Sequence, residues 1–188
     1  HQIGIRFTNL SPAQEQDLRG ILEPQFNAGQ QLAAQQSDPP VLTRPHTVRN
    51  REGSTIALRY DVPRRGGGER DPLVLISPGY GTTQHAYVAL AYTLAARGCH
   101  VLRYDHSRHI GLSEGDPSQT TFTSLEDDLD AVLTFAQEHW PERPITLLAA
   151  DLTGRIALRR RDWHRRLRRV LLLNPTLDLG QCRRSVRS

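Results

Sequence analysis

One aspartate stands where the sequence could most directly carry out chemistry. Residues 145–150 read Ile-Thr-Leu-Leu-Ala-Ala, Asp151 follows, and small residues with a glycine lead into a helical pattern from Ile156. This order indicates a buried strand that turns sharply into a helix, as in a nucleophile elbow, where a strained turn presents one side chain above a parallel sheet. The side chain presented here is a carboxylate instead of a serine or a cysteine.

The sequence leaves three interpretations of Asp151 open. The carboxylate could be a nucleophile that forms an ester or acyl intermediate, although this chemistry also needs a histidine to activate water. The turn could instead be an elbow that has lost its nucleophile. In the third interpretation Asp151 is only a helix N-cap that accepts hydrogen bonds from N–H groups two or three residues further on.

The periodicity of the chain predicts the fold that positions Asp151. Residues 46–51 and 54–62 indicate a β-hairpin, and short apolar runs then alternate with helical patterns up to a strand at 170–174. The alternation predicts an α/β fold with a mostly parallel sheet flanked by helices. Because sites in such sheets lie at the carboxyl ends of the strands, we expect three loops to meet there. These loops are 77–83, 105–115 and 151–154.

The second of these loops contains the candidate substrate-loop residues His106 and His109. Either histidine could act as a substitute base, or could form a hydrogen bond that only fixes the loop. Asp105 is expected to bind neighbouring backbone N–H groups.

The two cysteines, Cys99 and Cys182, match no metal-binding spacing, and we expect neither a metal nor a cofactor.

The charge of the chain is concentrated near its end. All 24 basic residues are arginines, and residues 155–188 hold 11 of them against two acids. A solvated helix face over Arg159–Arg169 is favoured over a phosphate-binding patch, so nucleic-acid binding is the weaker hypothesis.

No run approaches the roughly 20 apolar residues of a membrane span. With only two cysteines, we expect a reducing, cytoplasmic setting.

The first 45 residues predict a separate unit and a linker. Residues 1–9 alternate as a strand, and Ser11-Pro12 opens a helix. This piece resembles the last strand and C-terminal helix of PilZ domains, β-barrels that are receptors for cyclic di-GMP, but the ligand motifs of that family are absent from it. We therefore expect a PilZ-like remnant at 1–26, a polar linker at 27–45 and an incomplete α/β domain at 46–188.

The larger part of the chain resembles the α/β-hydrolase family, and within it the acyltransferases (acyl-ACP thioesterases) of bacterial luminescence. The segments that carry the resemblance are Leu75-Ile-Ser-Pro-Gly-Tyr, Arg103-Tyr-Asp followed by His109-x-Gly-Leu-Ser-x-Gly, and Leu148-Ala-Ala-Asp-Leu-Thr-Gly. The resemblance implies hydrolysis or transfer of an acyl ester or thioester carried by acyl carrier protein or coenzyme A.

The same resemblance implies the roles of three residues. Asp151 falls at the position of the nucleophilic serine, and the backbone N–H groups of Tyr80 and Leu152 fall at the oxyanion-hole positions. The acid and the histidine of the family lie beyond the strand that ends near Asn174. We therefore expect a sheet of about six strands and a protein that is inactive or weakly active. The alternative is a cyclic di-GMP-linked regulatory or partner-binding protein with a non-catalytic hydrolase fold.

Overall fold

The computed structural model describes residues 40–64 and 68–176. The strand expected at residues 1–9, the helix expected after Ser11 and the PilZ resemblance lie outside these ranges, as does Cys182.

Strands and helices alternate in the order that the periodicity predicts. Within residues 40–64 and 68–176 the strands are β1 (Val41–Arg49), β2 (Thr55–Pro63), β3 (Leu73–Ser77), β4 (His100–Tyr104), β5 (Ile145–Ala150) and β6 (Arg169–Leu173). The α-helices of these residues are α1 (Val88–Ala96), α2 (Phe122–His139) and α3 (Asp151–Arg159). Short 3-10 helices lie at Gln84–Tyr87, Pro117–Gln119 and Arg161–Arg165.

The strands form one mixed sheet in the order β1-β2-β4-β3-β5-β6. β1 and β2 pair as an antiparallel hairpin, and β2 runs antiparallel to β4. The remaining pairs are parallel, with Leu75 opposite Leu102 on one side and Leu147 on the other. The predicted mostly parallel α/β sheet is therefore confirmed, and β3 and β5 are adjacent with their carboxyl ends at the same edge.

The hairpin begins earlier than its sequence indicates. Val41 is the first residue of β1 and lies opposite Pro63, so residues 41–45, which the composition assigned to the linker, belong to the sheet. The N–H of Arg64 donates to the Pro40 carbonyl at 2.8 Å and closes this end of the pair. The register of the hairpin extends the strand into a segment whose composition is that of a linker.

Helices cover both faces of the sheet. α2 and α3 pack on one face, where Leu129, Leu133 and Ile156 join the larger apolar cluster. α1 packs on the other face through Ala91 and Ala95. Burial on both faces explains why every residue of β3 and β4 is buried, and why β3 reads as an apolar run up to its final serine.

A capping box fixes the start of α2. The hydroxyl of Thr121 accepts the N–H of Ser124 at 3.0 Å, and the hydroxyl of Ser124 accepts the N–H of Thr121 at 2.9 Å. These two bonds satisfy N–H groups that a helix start leaves without partners. The cap places Asp128 two turns into α2, where it is fully buried. Among the described residues, no helix is both long and apolar enough to cross a membrane.

Candidate functional site

Asp151 lies in a strained turn between β5 and α3. Its φ angle is +48°, in the left-handed region that a residue with a side chain rarely adopts. Ala150 before it is extended, and Asp151 is the first residue of the helix. Strain of this kind persists only where the surrounding structure imposes it, and it concentrates at functional sites. The elbow geometry predicted from the sequence is therefore present in the fold.

Small residues allow the elbow to form. A Cβ atom on Gly79 would lie 2.7 Å from the Cβ of Asp151, closer than side chains can approach, so the β3 loop can pass Asp151 only because residue 79 is glycine. A Cβ atom on Gly154 would lie 3.1 Å from the Cβ of Pro175. Thr153 stabilises the turn by donating its hydroxyl to the Ala150 carbonyl at 2.7 Å.

The N-cap interpretation of Asp151 is wrong. The residue before the helix is Ala150, and no side chain caps the N–H groups of the first turn of α3. The carboxylate of Asp151 instead accepts a hydrogen bond from the hydroxyl of Thr176 at Oδ1. Its carbonyl accepts the N–H of Thr176 at 3.2 Å. The left-handed φ angle of Asp151 belongs to the turn, and its carboxylate binds Thr176 and not the N–H groups at the start of the helix.

Tyr80 and Leu152 lie on the two segments that meet at Asp151. Tyr80 directly follows Gly79, which touches Asp151, and its side chain is exposed. Leu152 is the second residue of α3, and the N–H groups of a first helical turn have no intrahelical acceptor. The structure therefore brings together the two backbone segments that the resemblance assigned to an oxyanion hole.

Asp105, at the end of β4, organises the neighbouring loops. Its Oδ1 accepts the N–H of Gln84 at 2.7 Å, and its Oδ2 accepts the N–H of Leu112 at 2.9 Å. A Cβ atom on Gly111 would lie 2.5 Å from Asp105 Cγ, so the loop can wrap the carboxylate only with glycine there. The prediction that Asp105 binds backbone N–H groups is confirmed.

His106 does not lie at the mouth of the site. Its side chain is 1% exposed, and Nδ1 lies 3.3 Å from Asp128 Oδ2. On the other side of the ring, Nε2 lies 3.5 Å from the hydroxyl of Tyr104. Of the two roles predicted for His106, substitute base or structural hydrogen bond, the buried contact with Asp128 supports the structural one.

The centre of this buried network is Asp128, a residue that the sequence motifs do not single out. Its carboxylate accepts the N–H and the hydroxyl of Ser107 and the side-chain amide of Asn50, at 2.7 to 2.8 Å. Asp128 follows two acids at the start of a helix, where a solvated face is the ordinary expectation. A signal was available in the helical pattern, because Asp128 lies between Leu125 and Leu129 on the buried face.

His109 contacts the turn that follows β3. Its Nε2 accepts the N–H of Gly81 at 3.0 Å, and its ring meets the Tyr80 ring edge-on with 5.2 Å between centroids. Burial is the largest cause that lowers the pKa of His109, and the nearby His106 lowers it further. The backbone of Ile110 and the carboxylates of Asp105 and Asp128 raise this pKa. The net direction is downward, which keeps the ring neutral at neutral pH.

The expected basic helix over Arg159–Arg169 is interrupted. α3 ends at Arg159, a 3-10 helix follows, and β6 begins at Arg169. Arg160 pairs with Glu126 at 2.7 Å, and its hydrogen bonds lower the pKa of Asp162 to about 2. Arg166 pairs with Asp130 at 2.9 Å. Arg160 and Arg166 are therefore bound to acids and do not belong to a free basic face.

No group of three or more histidine, cysteine, aspartate or glutamate side chains is placed to share a metal ion within residues 40–64 and 68–176. Neither His106 nor His109 forms a hydrogen bond with Asp151 among the contacts of these residues. The site therefore consists of an elbow carboxylate, two backbone segments with N–H groups, and an ordered loop behind them.

Comparisons with known proteins agree with the fold of the domain. The profile of the family described as serine aminopeptidase S33 (Hydrolase_4) matches residues 68–186. An acyl transferase of Aliivibrio fischeri strain MJ11 is 32% identical over 117 residues, which are 62% of this chain and 38% of that protein. An acyl transferase of Shewanella hanedai is 30% identical over 116 residues, with 62% and 37% covered. The chain thus spans less than two fifths of these curated relatives.

Solved structures show the same fold. The hypothetical protein PA2218 of Pseudomonas aeruginosa superposes with a TM-score of 0.62 at 26% identity, over 80% of this chain and 52% of that one. The bacterial brefeldin A esterase gives a TM-score of 0.61 at 20% identity, over 79% and 45%, and supports the fold alone. From the family match over more than half of its length and its α/β-hydrolase sheet, the chain belongs to the serine aminopeptidase S33 family of α/β-hydrolases.

Proposed function

We propose that this domain binds acyl esters or thioesters with the acyl carbonyl beside Asp151, and that it hydrolyses or transfers the acyl group only slowly. The observation that carries the proposal is the φ angle of +48° at Asp151, at the end of β5 and against Gly79. An aspartate that served only as a helix residue would not require this strained turn.

The backbone around Asp151 supplies the groups that an acyl carbonyl needs. The N–H groups of Tyr80 and Leu152 would donate to the carbonyl oxygen, and the N-terminus of α3 would add its positive dipole end. Removing one such donor from a working oxyanion hole typically costs about 100- to 1000-fold in rate. The elbow therefore favours a substrate that develops negative charge on a carbonyl oxygen.

The loops also offer apolar surface for an acyl chain. The side chains of Tyr80 and Ile110 are exposed, although both are large and apolar, and they follow β3 and β4 at the edge of the sheet where Asp151 lies. His109 connects them, since its ring contacts Tyr80 and its backbone precedes Ile110. A hydrocarbon chain bound there would remove both side chains from water.

The carboxylate at position 151 explains why turnover should be slow. Attack by Asp151 on a thioester would form a mixed anhydride and release the thiolate, and water must then be activated to cleave the anhydride. His106 is buried against Asp128, and His109 accepts from Gly81. Neither ring is therefore free in this conformation to activate water. The acyl transferase name of the relatives supports an acyl substrate, and we propose acyl carrier protein or coenzyme A as its carrier.

A binding measurement and a rate measurement together test this proposal. The probe is an acyl-CoA analogue in which a methylene group replaces the thioester sulfur, so that the carbonyl is kept but cannot be hydrolysed. We expect it to bind and to shift the backbone amide resonances of Tyr80 and Leu152. Turnover of acyl-CoA and of nitrophenyl esters should be weak and should be lost in Asp151→Ala.

Four outcomes contradict the proposal. Shifts confined to residues remote from Asp151, or no binding, would remove the acyl site. Robust turnover would refute the expectation of weak activity, and turnover that survives in Asp151→Ala would remove the role of Asp151. The exposed Ser118, in the 3-10 helix Pro117–Gln119, gives a matched control as Ser118→Ala.

A further inference from the structure

We infer that His109 is a positioning residue of this site, whose neutral ring holds the 79–81 turn so that the Tyr80 N–H faces the substrate carbonyl. The inference rests on the proposed function for the identity of the substrate. Its structural part, the hold of His109 on the turn, is testable without any substrate.

The contact with Gly81 is specific. The N–H of Gly81 donates to Nε2 of His109 at 3.0 Å across 28 positions of sequence, and the ring packs edge-on against Tyr80 at 5.2 Å. The φ angle of Gly81 is +77°, a conformation that glycine adopts without strain. His109 thus binds one side of the peptide unit that follows Tyr80 and packs against the Tyr80 ring.

The rest of the turn is held from the opposite side. Thr82 donates both its N–H, at 3.2 Å, and its hydroxyl, at 2.9 Å, to the carbonyl of Gly79. Gly79 in turn lies against Asp151. Because these contacts fix residues 79 and 82, the bond from Gly81 to His109 determines how the peptides between them are oriented.

His109 is itself fixed by the loop that carries it. Asp105 accepts the N–H of Leu112 at 2.9 Å, and the hydroxyl of Ser113 donates to the Asp105 carbonyl at 2.6 Å. These bonds close the segment around residues 105–113 on both sides of the histidine. An imidazole on an anchored loop can hold the 79–81 turn in place, whereas an imidazole on a mobile loop would move together with that turn.

The hydrogen bond requires a particular protonation state. A neutral imidazole has one acceptor nitrogen, whereas an imidazolium has none, so Nε2 must be unprotonated and the proton must reside on Nδ1. Burial and the neighbouring His106 lower the pKa of His109, against the opposing effect of Asp105, Asp128 and the Ile110 backbone. The direction of the shift favours the acceptor form.

Two variants separate the hydrogen bond from the packing. His109→Phe keeps a ring beside Tyr80 but removes the acceptor, whereas His109→Gln offers a carbonyl oxygen near the position of Nε2. In nitrogen-15 spectra of the wild type we expect the Nδ1–H tautomer. In His109→Phe the amide proton of Gly81 should move upfield. The affinity for the ketone analogue of acyl-CoA should fall about tenfold, because the Tyr80 N–H is no longer held toward the carbonyl oxygen. His109→Gln should restore both.

The outcomes distinguish this inference from the proposed function. An Nε2–H tautomer, or a Gly81 resonance that is the same in wild type and His109→Phe, overturns the hold on the turn. An affinity that falls equally in His109→Phe and His109→Gln overturns the positioning role, because it shows that the acceptor is irrelevant. If the wild type does not bind the ketone, the proposed function fails, and the positioning role fails with it. The Gly81 resonance then still decides whether His109 accepts the N–H of Gly81.

Discussion

The backbone of Gly79 lies so close to Asp151 that a Cβ atom at position 79 would be 2.7 Å from the Cβ of Asp151. This contact joins the carboxyl ends of β3 and β5, which pair in parallel within the sheet. It fixes the elbow and the turn that carries Tyr80 relative to each other. The proposed acyl site depends on this one approach of a glycine to an aspartate.

Gly79→Ala should therefore destabilise the fold. An added methyl group must displace either the elbow or the turn, and overpacking of this kind typically costs about 1–3 kcal/mol in the free energy of unfolding. Denaturant titration measures the change. Gly68→Ala is the control, because its Cβ would meet Asp71 only at an ordinary 3.5 Å, and it should change stability by less than about 0.5 kcal/mol. Equal stability of both variants would show that the close approach is relieved without cost.

Arg103→Met should be the more damaging change in the core. Arg103 binds Asp61 at 2.7 Å, and both side chains are buried, so removing the arginine leaves a buried carboxylate with the Thr43 hydroxyl as a donor but without its cation. Such a loss costs about 3–5 kcal/mol. The double variant with Asp61→Leu should recover part of this loss, because it removes the stranded charge. If the double variant is less stable than Arg103→Met, the charge is not the cause.

The free energy of unfolding should fall as the pH is lowered through the ordinary histidine range. Burial is the first cause that lowers the pKa of His46, His100 and His109 below the ordinary value of 6.5. The unfolded chain then binds more protons than the folded one, so stability is lost as the pH falls below about 6.5. Urea titrations between about pH 7.5 and pH 5 measure this, and His46→Gln should flatten the dependence. Stability that is constant or rises toward pH 5 would contradict it.

The two edges of the described sheet should differ in their tendency to pair. The β1 edge carries Pro45, which lacks an N–H group, beside Arg44, whereas Leu171 and Leu173 on the β6 edge are 50% and 46% exposed. An open apolar edge strand pairs readily with another chain. We expect concentration-dependent self-association in light scattering, reduced in Leu171→Lys and unchanged in Thr47→Lys. A monomer at all concentrations would contradict this prediction.

Periodicity was sufficient to predict the order of the strands and helices and the position of the elbow. Short apolar runs and helical patterns have local causes, so the strand before Asp151 and the helix after it are visible in a dozen residues. The sheet order is not local, since β3 lies between β4 and β5 and no single segment contains that information. The start of β1 at Val41 also depends on a partner, Pro63, that composition does not reveal.

The parts of the site that the sequence did not predict depend on long-range contacts. Asp128 reaches Asn50 over 78 positions, and His109 reaches Gly81 over 28. The sequence places Arg160 in a basic run, but in the fold Arg160 binds Glu126, 34 positions earlier. In each case the residue type permits several roles, and only the fold selects among them.

The central claim, that residue 151 is placed to meet an acyl carbonyl, is tested most directly by Asp151→Cys. A cysteine at a helix N-terminus has a lowered pKa and is itself a nucleophile, so it should need no added base to attack an ester. Incubation with a nitrophenyl acyl ester, followed by mass spectrometry of peptides, locates the acyl group. We predict one acyl group on residue 151, formed much faster than on the exposed control Ser118→Cys. Acylation of both cysteines at the same rate would contradict the account.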